Sequence, residues 1–282
     1  MNQRKFICFI HIEKCGGITL HHLIQNNLPF YVNLRSWYYW SNEPGKYFTK
    51  DDLLDLSRYL PFIQGIGGHT TRVFAEYEEA IENSIIYLSF LRDPIQRYMS
   101  HINYQRQVMG INWDISDFIS DNRFDNYQTV RLAGSEDVLE AKRILNKKID
   151  FVGIVEEFDV SLLLLKNSYP EIFWNVQYER KNTTEVKKST LNFKELDKDI
   201  QNKIVYNNRL DIELYHYAKE EIFNVNKMKY KGDIDNDLEY FKRKNETYRY
   251  PFFKSKLLLL YRNIMRYILQ PIFNRSMRKR IN

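Results

Sequence analysis

Little in this chain marks a disordered, disulfide-stapled or membrane-spanning protein. Only two cysteines occur in 282 residues, Cys8 and Cys15, which gives no disulfide framework and suits a reducing compartment. Glycine and proline are scarce, at 10 and 7, so low-complexity and collagen-like classes are excluded. With 44% hydrophobic and 15% aromatic residues, the composition is that of an ordinary globular protein. No apolar run reaches membrane-spanning length and the first residues carry no signal-peptide pattern, so the expected location is the cytoplasm. A chain of this length holds one large domain with a sizeable core.

The net charge of +6 is unevenly spread. Residues 242–282 carry 12 Lys/Arg against one Glu, or +11, which leaves 30 basic and 35 acidic residues, or −5, for residues 1–241. The body is mildly acidic, so the basic balance is no footprint of a distributed nucleic-acid groove, and no nucleic-acid partner is expected. Within the tail, Lys254 to Leu269 alternates apolar and basic positions at helical spacing before Pro271 and a basic cluster at Arg275–Arg280. This pattern fits an interfacial helix resting on an anionic membrane surface, through residues 252–282, at the inner face of a membrane. It equally fits a terminal helix packed on the body or on another subunit.

Apolar runs over 5–12, 63–68, 84–91 and 150–155 read as buried strands. Helical patterns fill 18–27, 50–59, 75–83 and 157–167, another helix opens at Arg92-Asp-Pro94, and the chain is helical beyond 190. Between them, 33–50 is an aromatic loop containing Trp37 and Trp40. Strands alternating with helices predict an α/β fold, a P-loop-like central parallel sheet flanked by helices, with a helical C-terminal region. The main domain is expected over 1–230 and a basic helical extension over 231–282.

The most informative segment runs from the first strand through Lys14-Cys-Gly16-Gly17 into a helix. Paired glycines let backbone N–H groups approach an anion, the helix presents its positive end, and Lys14 adds a mobile charge. In a parallel sheet, ligands bind beyond the carboxyl ends of the strands. Three strands here end in polar chemistry, at Lys14, His69 and Arg92. If those strands are neighbours, a Lys, a His and an Arg converge on one sheet edge and make an anion site with a titratable base.

His11-Ile-Glu-Lys14-Cys-Gly-Gly-Ile-Thr19 and Leu91-Arg92-Asp-Pro94-Ile-Gln-Arg97-Tyr-Met-Ser100 resemble the 5′-phosphosulfate loop and the 3′-phosphate motif of sulfotransferases. The likeness is to the carbohydrate branch, especially the heparan sulfate and uronyl 2-O-sulfotransferases, and spans roughly residues 5–224. Gly67-Gly-His69 resembles the segment with their catalytic histidine, Phe151–Glu156 their fourth strand, Arg180–Lys188 a late cofactor-contacting loop, and Asp211-Ile-Glu-Leu-Tyr215 the helix that closes their fold. The resemblance implies 3′-phosphoadenosine-5′-phosphosulfate as donor and a carbohydrate hydroxyl as acceptor. Lys14, Cys15, Gly16, Gly17, Ile18 and Thr19 would hold the phosphosulfate. Arg92 and Ser100, eight residues apart and so nearly on one helix face, would hold the 3′-phosphate, with Thr183 and Lys187 as further contacts. His69 would act as general base, and Lys14 would stabilise the leaving phosphate. No metal is expected, since no His/Cys/Asp/Glu spacing calls for one.

Two residues depart from the family pattern. Cys15 stands where many relatives have Thr, and Glu13, where Pro is common, puts a carboxylate beside an anion loop and has to point away. His101 reads as a packing residue, His11, His21 and His22 as structural, and Arg97 as the partner of an acidic neighbour inside the fold. The Trp37–Trp40 cluster suits a packed lid as well as a sugar platform, and Arg35, Arg72 and Arg106 read as solvated charges. A P-loop kinase is the rival enzyme, although Lys14 precedes its glycines and no Gly-x-x-x-x-Gly-Lys-Ser/Thr occurs. A non-catalytic glycan- or membrane-binding module on the same fold is the rival from outside enzymology.

Overall fold

The computed structural model describes residues 5–34, 47–81, 84–111, 114–179, 190–250 and 252–264, with isolated positions beyond. Thr183, Lys187, Arg35, the Trp37–Trp40 cluster and the Arg275–Arg280 cluster lie outside the described residues.

Five strands, β1 (Phe6–Ile10), β2 (Tyr31–Asn33), β3 (Gly65–Gly68), β4 (Ile85–Leu91) and β5 (Phe151–Ile154), form one sheet in the order β2-β3-β1-β4-β5. All four pairings are parallel. Every residue of β1 is buried, as expected for a central strand covered by helices on both faces. α1 (Gly17–Asn27) follows β1, α2 (Lys50–Tyr59) precedes β3, and α3 (Pro94–Gln107) follows β4. α4 (Ile115–Ser120), α5 (Tyr127–Ala133) and α6 (Val138–Lys147) lead into β5, and α7 (Phe158–Ser168) leaves it. Then come α8 (Lys198–Asn207), α9 (Arg209–Tyr217), a π-helical stretch at Ala218–Phe223, α10 (Asn224–Met228), α11 (Ile234–Glu246) and α12 (Phe252–Ile264).

The strand order settles the neighbour question, because β3, β1 and β4 are adjacent. Lys14, His69 and Arg92 thus follow three neighbouring strands at one end of the sheet. From β1 the chain heads for the β2 edge, and from β4 for the β5 edge. The loops after these two neighbours therefore part, and a crevice opens at their carboxyl ends.

Side-chain caps set the starts of α2 and α3. Thr49 Oγ1 accepts from Asp52 N–H at 3.2 Å while Asp52 Oδ2 accepts from Thr49 N–H at 2.8 Å, a reciprocal cap that starts α2. Asp93 Oδ1 accepts from Gln96 N–H at 2.8 Å and Pro94 occupies the first turn of α3. The helix expected over 75–83 is instead two short 3₁₀ turns, Val73–Ala75 and Tyr77–Glu79. Glu76 between them is left-handed, at φ 52°, and Tyr77 beside it is buried in the core, where its hydroxyl donates to Phe48 O at 2.6 Å. β2 is a strand that the pattern did not reveal, since three residues are too few to show a period.

The main core continues past residue 230. α11 packs on α7, buries Phe241 in the core, and its Asn245 Oδ1 accepts from Tyr178 N–H at 2.8 Å. α12 touches the body through Tyr261, whose ring meets Phe30 edge-on at 6.5 Å, and it leaves Leu257, Leu260 and Ile264 exposed. Among the described residues, no helix is long and apolar enough to cross a membrane.

Candidate functional site

The loop between β1 and α1 turns sharply through two left-handed residues. Gly16 is left-handed, at φ 76°, and so is Lys14, at φ 70°, which folds the chain sharply into the first turn of α1. Gly17 has no room for a side chain, because a Cβ there would lie 1.7 Å from His11 Nε2. The first hydrogen bond of the helix runs from Leu20 N–H to Gly16 O at 3.2 Å. The N–H groups of Gly17, Ile18 and Thr19 precede it and point out of the helix start, with the positive end of an 11-residue helix behind them.

Cys15 departs from the expected donor set. Its N–H donates to Ile12 O at 3.3 Å, and its buried thiol points at Gln128 Oε1, 3.6 Å away. Burial outweighs the nearby Arg97 and Arg92 charges and pushes the thiol up to about 12, so Cys15 packs as a neutral group. The donor row therefore begins after Cys15.

On the β4 side of this loop, Lys14, Arg92 and Ser100 line a single cleft of about 580 Å³, in the size range of small-ligand sites. Its far wall comes from Thr190, Asn192 and Lys194, which follow the segment holding Thr183 and Lys187. α3 grips that wall: Asn103 Nδ2 donates to Leu191 O at 2.9 Å, and Gln107 Nε2 donates to Thr190 Oγ1 at 2.9 Å. Lys14 Nζ lies 4.1 Å from the centre of the Tyr104 ring, a cation–π contact that aims the ammonium along α3.

Arg92 is fixed from three directions. Its backbone N–H donates to Gln128 Oε1 at 3.0 Å, and its carbonyl accepts from Gln128 Nε2 at 2.9 Å. One guanidinium nitrogen donates to Lys14 O at 3.1 Å and so ties the two loops together. Glu156 lies 4.0 Å from Arg92 Nε; it accepts from Asp93 N–H at 3.0 Å and from the Tyr215 hydroxyl at 2.9 Å. Nε itself is buried without a hydrogen-bond partner among the described residues. α5, which carries Gln128, is capped from a distance: Asp211 accepts from Gln128 N–H at 2.9 Å and Thr129 N–H at 2.7 Å.

On the β3 side of the same loop the chemistry is different. His69 Nδ1 lies 3.5 Å from Glu13 Oε1, and Glu13 Oε1 accepts from Arg131 at 2.6 Å. Arg131 also reaches the Tyr127 hydroxyl at 2.5 Å and His69 O at 3.3 Å, and Arg72 donates to His69 O at 2.7 Å. Burial would raise the carboxyl of Glu13, but Arg131 and then His69 more than offset it and hold it at about 2. Glu13 thus turns toward β3, where Arg131 balances its charge. Behind His69 the His11 ring stands 4.1 Å away, His11 Nδ1 and His21 Nε2 are 3.1 Å apart, and His21 Nδ1 is 2.8 Å from the Tyr31 hydroxyl.

The structure therefore brings Lys14, Arg92 and Ser100 into one cleft, with Gly17, Ile18 and Thr19 at the helix start beside it. His69 is not on the wall of that cleft; it stands across the Lys14 loop. Sequence reasoning missed Glu13 as a partner of His69, and it missed Arg131, Gln128 and Arg72, which brace the two sides. Arg72, read as a solvated charge, is buried. Arg97 is fully buried and donates to His101 Nδ1 at 3.2 Å and Phe124 O at 3.4 Å. His101 is a packing residue, driven down to about 3 by burial and by Arg97. Among the described residues, no group of three or more His, Cys, Asp or Glu is placed to hold a metal ion. No family model matches this chain, and no curated protein matches it.

Proposed function

We propose that the protein is a sulfotransferase that moves a sulfuryl group from 3′-phosphoadenosine-5′-phosphosulfate to a carbohydrate hydroxyl. The observation that carries this reading is the shared cleft of Lys14, Arg92 and Ser100 beside the start of α1, with His69 across the loop. The donor set fits a nucleotide bearing two separate anionic groups. An ammonium, a guanidinium and a hydroxyl line the cleft, and the N–H groups at the start of α1 lie beside it. In support, the motifs around Glu156 and around Asp211–Tyr215 are far from Arg92 in sequence yet converge on it: Glu156 directly, Tyr215 through Glu156, and Asp211 through Gln128.

In this reading Arg92 and Ser100 hold the 3′-phosphate, and Gly17, Ile18 and Thr19 hold the phosphosulfate end. His69 takes the proton of the acceptor hydroxyl as its oxygen bonds to sulfur. The sulfur–oxygen bond to the 5′-phosphate breaks, and Lys14 balances the charge that appears on the departing oxygen. Glu13 orients the His69 ring, while Arg131 keeps the carboxylate ionised. The exposed Leu257, Leu260 and Ile264 beside a basic tail support peripheral attachment to an anionic membrane surface on the cytoplasmic side.

The test is labelled-sulfate transfer across a panel of glycans that includes desulfated uronic-acid polymers, together with binding of 3′-phosphoadenosine-5′-phosphate against ATP with magnesium. Preferential binding of the bisphosphate, and transfer that disappears in His69→Ala, are expected. Tighter binding of ATP with magnesium turns the reading toward a kinase. Donor binding without transfer to any glycan turns it toward a binding module.

A further inference from the structure

A second cleft, of about 730 Å³, lies between α7, α11 and the chain that follows α7. Its place in the fold is set by α7, which starts at the carboxyl end of β5 and runs back along the sheet. Glu171, just past α7, pairs with Lys5 at the start of β1 at 2.8 Å. The cleft therefore opens at the amino end of the sheet, opposite the Lys14 and Arg92 site.

Its lining combines flat aromatic surface with positive charge. Trp174 and Tyr240 are 58% and 54% exposed, although tryptophan is on average a highly buried residue. Both line the cleft together with Lys166, Lys231 and Lys244. Lys166 and Lys244 stand in the last turns of α7 and α11, where a cation also offsets the helix dipole, but Lys231 lies outside any helix. The acidic residue on the wall, Asp237, is engaged by the Tyr230 hydroxyl at 2.9 Å. Lys244 Nζ sits 4.6 Å from the centre of the Tyr240 ring, so one cation is already aligned with an aromatic face.

We propose that this cleft binds an acidic oligosaccharide. Sugar rings present C–H faces that suit exposed indole and phenol rings, and ammonium groups suit carboxylate or sulfate substituents. The amide side chains of Asn167 and Gln177 on the same wall suit sugar hydroxyls. The site goes beyond the proposed transfer reaction and shares no residue with it. For a long polymer, it supplies a second point of attachment on the other end of the body.

The test is calorimetric titration of the full chain, at low salt, with a tetrasaccharide of alternating glucuronic acid and N-acetylglucosamine. Trp174→Ala, and separately the pair Lys231→Glu with Lys244→Glu, weaken binding by about tenfold or more, whereas Trp174→Phe keeps most of it. A neutral tetrasaccharide of N-acetylglucosamine binds at least about tenfold more weakly than the acidic one. Wild-type affinity in Trp174→Ala, or equal affinity for the neutral probe, overturns the proposal. So does displacement of the acidic tetrasaccharide by an equally charged peptide or oligonucleotide at lower concentration. Binding of 3′-phosphoadenosine-5′-phosphate, followed in the same variants, reports on the strand-end site alone, so failure at one site is distinguishable from failure at the other.

Discussion

The two sides of the Lys14 loop are built on opposite principles. Toward β4, Lys14 and Arg92 line an open cleft, and the carboxylate of Glu156 stands 4.0 Å from Arg92 Nε. Toward β3 the charges are half-buried and closely matched, Arg131 to Glu13 at 2.6 Å and Glu13 to His69 at 3.5 Å. A site that must hold an anion keeps net positive charge and access, whereas a site that must move one proton needs a fixed ring with a defined charge beside it. Gly17 joins the two, because the His11 ring that backs His69 rests against its Cα while its N–H belongs to the anion-facing turn.

Removing the ring of the matched side has the largest expected effect. His69→Ala lowers the transfer rate by roughly 10²–10⁴-fold, while affinity for 3′-phosphoadenosine-5′-phosphate stays within about twofold of wild type; single-turnover assays and calorimetry check the two halves. A parallel loss of affinity would mean that the two sides do not divide the work.

Next comes the charge pair itself. Glu13→Gln leaves the half-buried Arg131 without its counter-charge and costs about 1–3 kcal/mol of stability, measured by urea unfolding at neutral pH. The sign with pH follows from a folded carboxyl held at about 2 against an ordinary 4.5. The stabilisation is full above about 4.5 and is lost as the pH falls toward 2, so the wild-type advantage over Glu13→Gln shrinks across that window.

On the open side the effect is smaller and falls on binding. Arg92→Ala weakens the bisphosphate by about 10- to 100-fold, the worth of hydrogen bonds to a charged group, and Arg92→Lys recovers part of it by restoring charge without the fork. Ser100→Ala removes one neutral donor and weakens binding by only about two- to tenfold. Calorimetric titration ranks all three, and a Ser100 effect larger than that of Arg92 would misplace the phosphate.

Much of the frame was legible from short-range signals. The apolar runs located β1, β3, β4 and β5, Pro94 after Asp93 opened α3 where expected, and α2 runs over Lys50–Tyr59 as its pattern predicted. Lys14, Arg92 and Ser100, singled out in the sequence, line one cleft. The bracing was illegible because it comes from α5, for which no pattern was read. Asn126 at its start is left-handed and makes no side-chain cap, and the capping carboxylate arrives from Asp211, 83 residues from Gln128.

The segments and their order along the chain were written in local periodicity and turn chemistry, which act over a few residues and need no partner. Which strands lie side by side, which way Glu13 turns, and which groups neutralise it were settled by folding. Arg131 is 118 residues from Glu13 and Gln128 is 36 from Arg92. A buried charge takes whatever counter-charge the packing brings to it, and neither residue's neighbours in sequence carry that information.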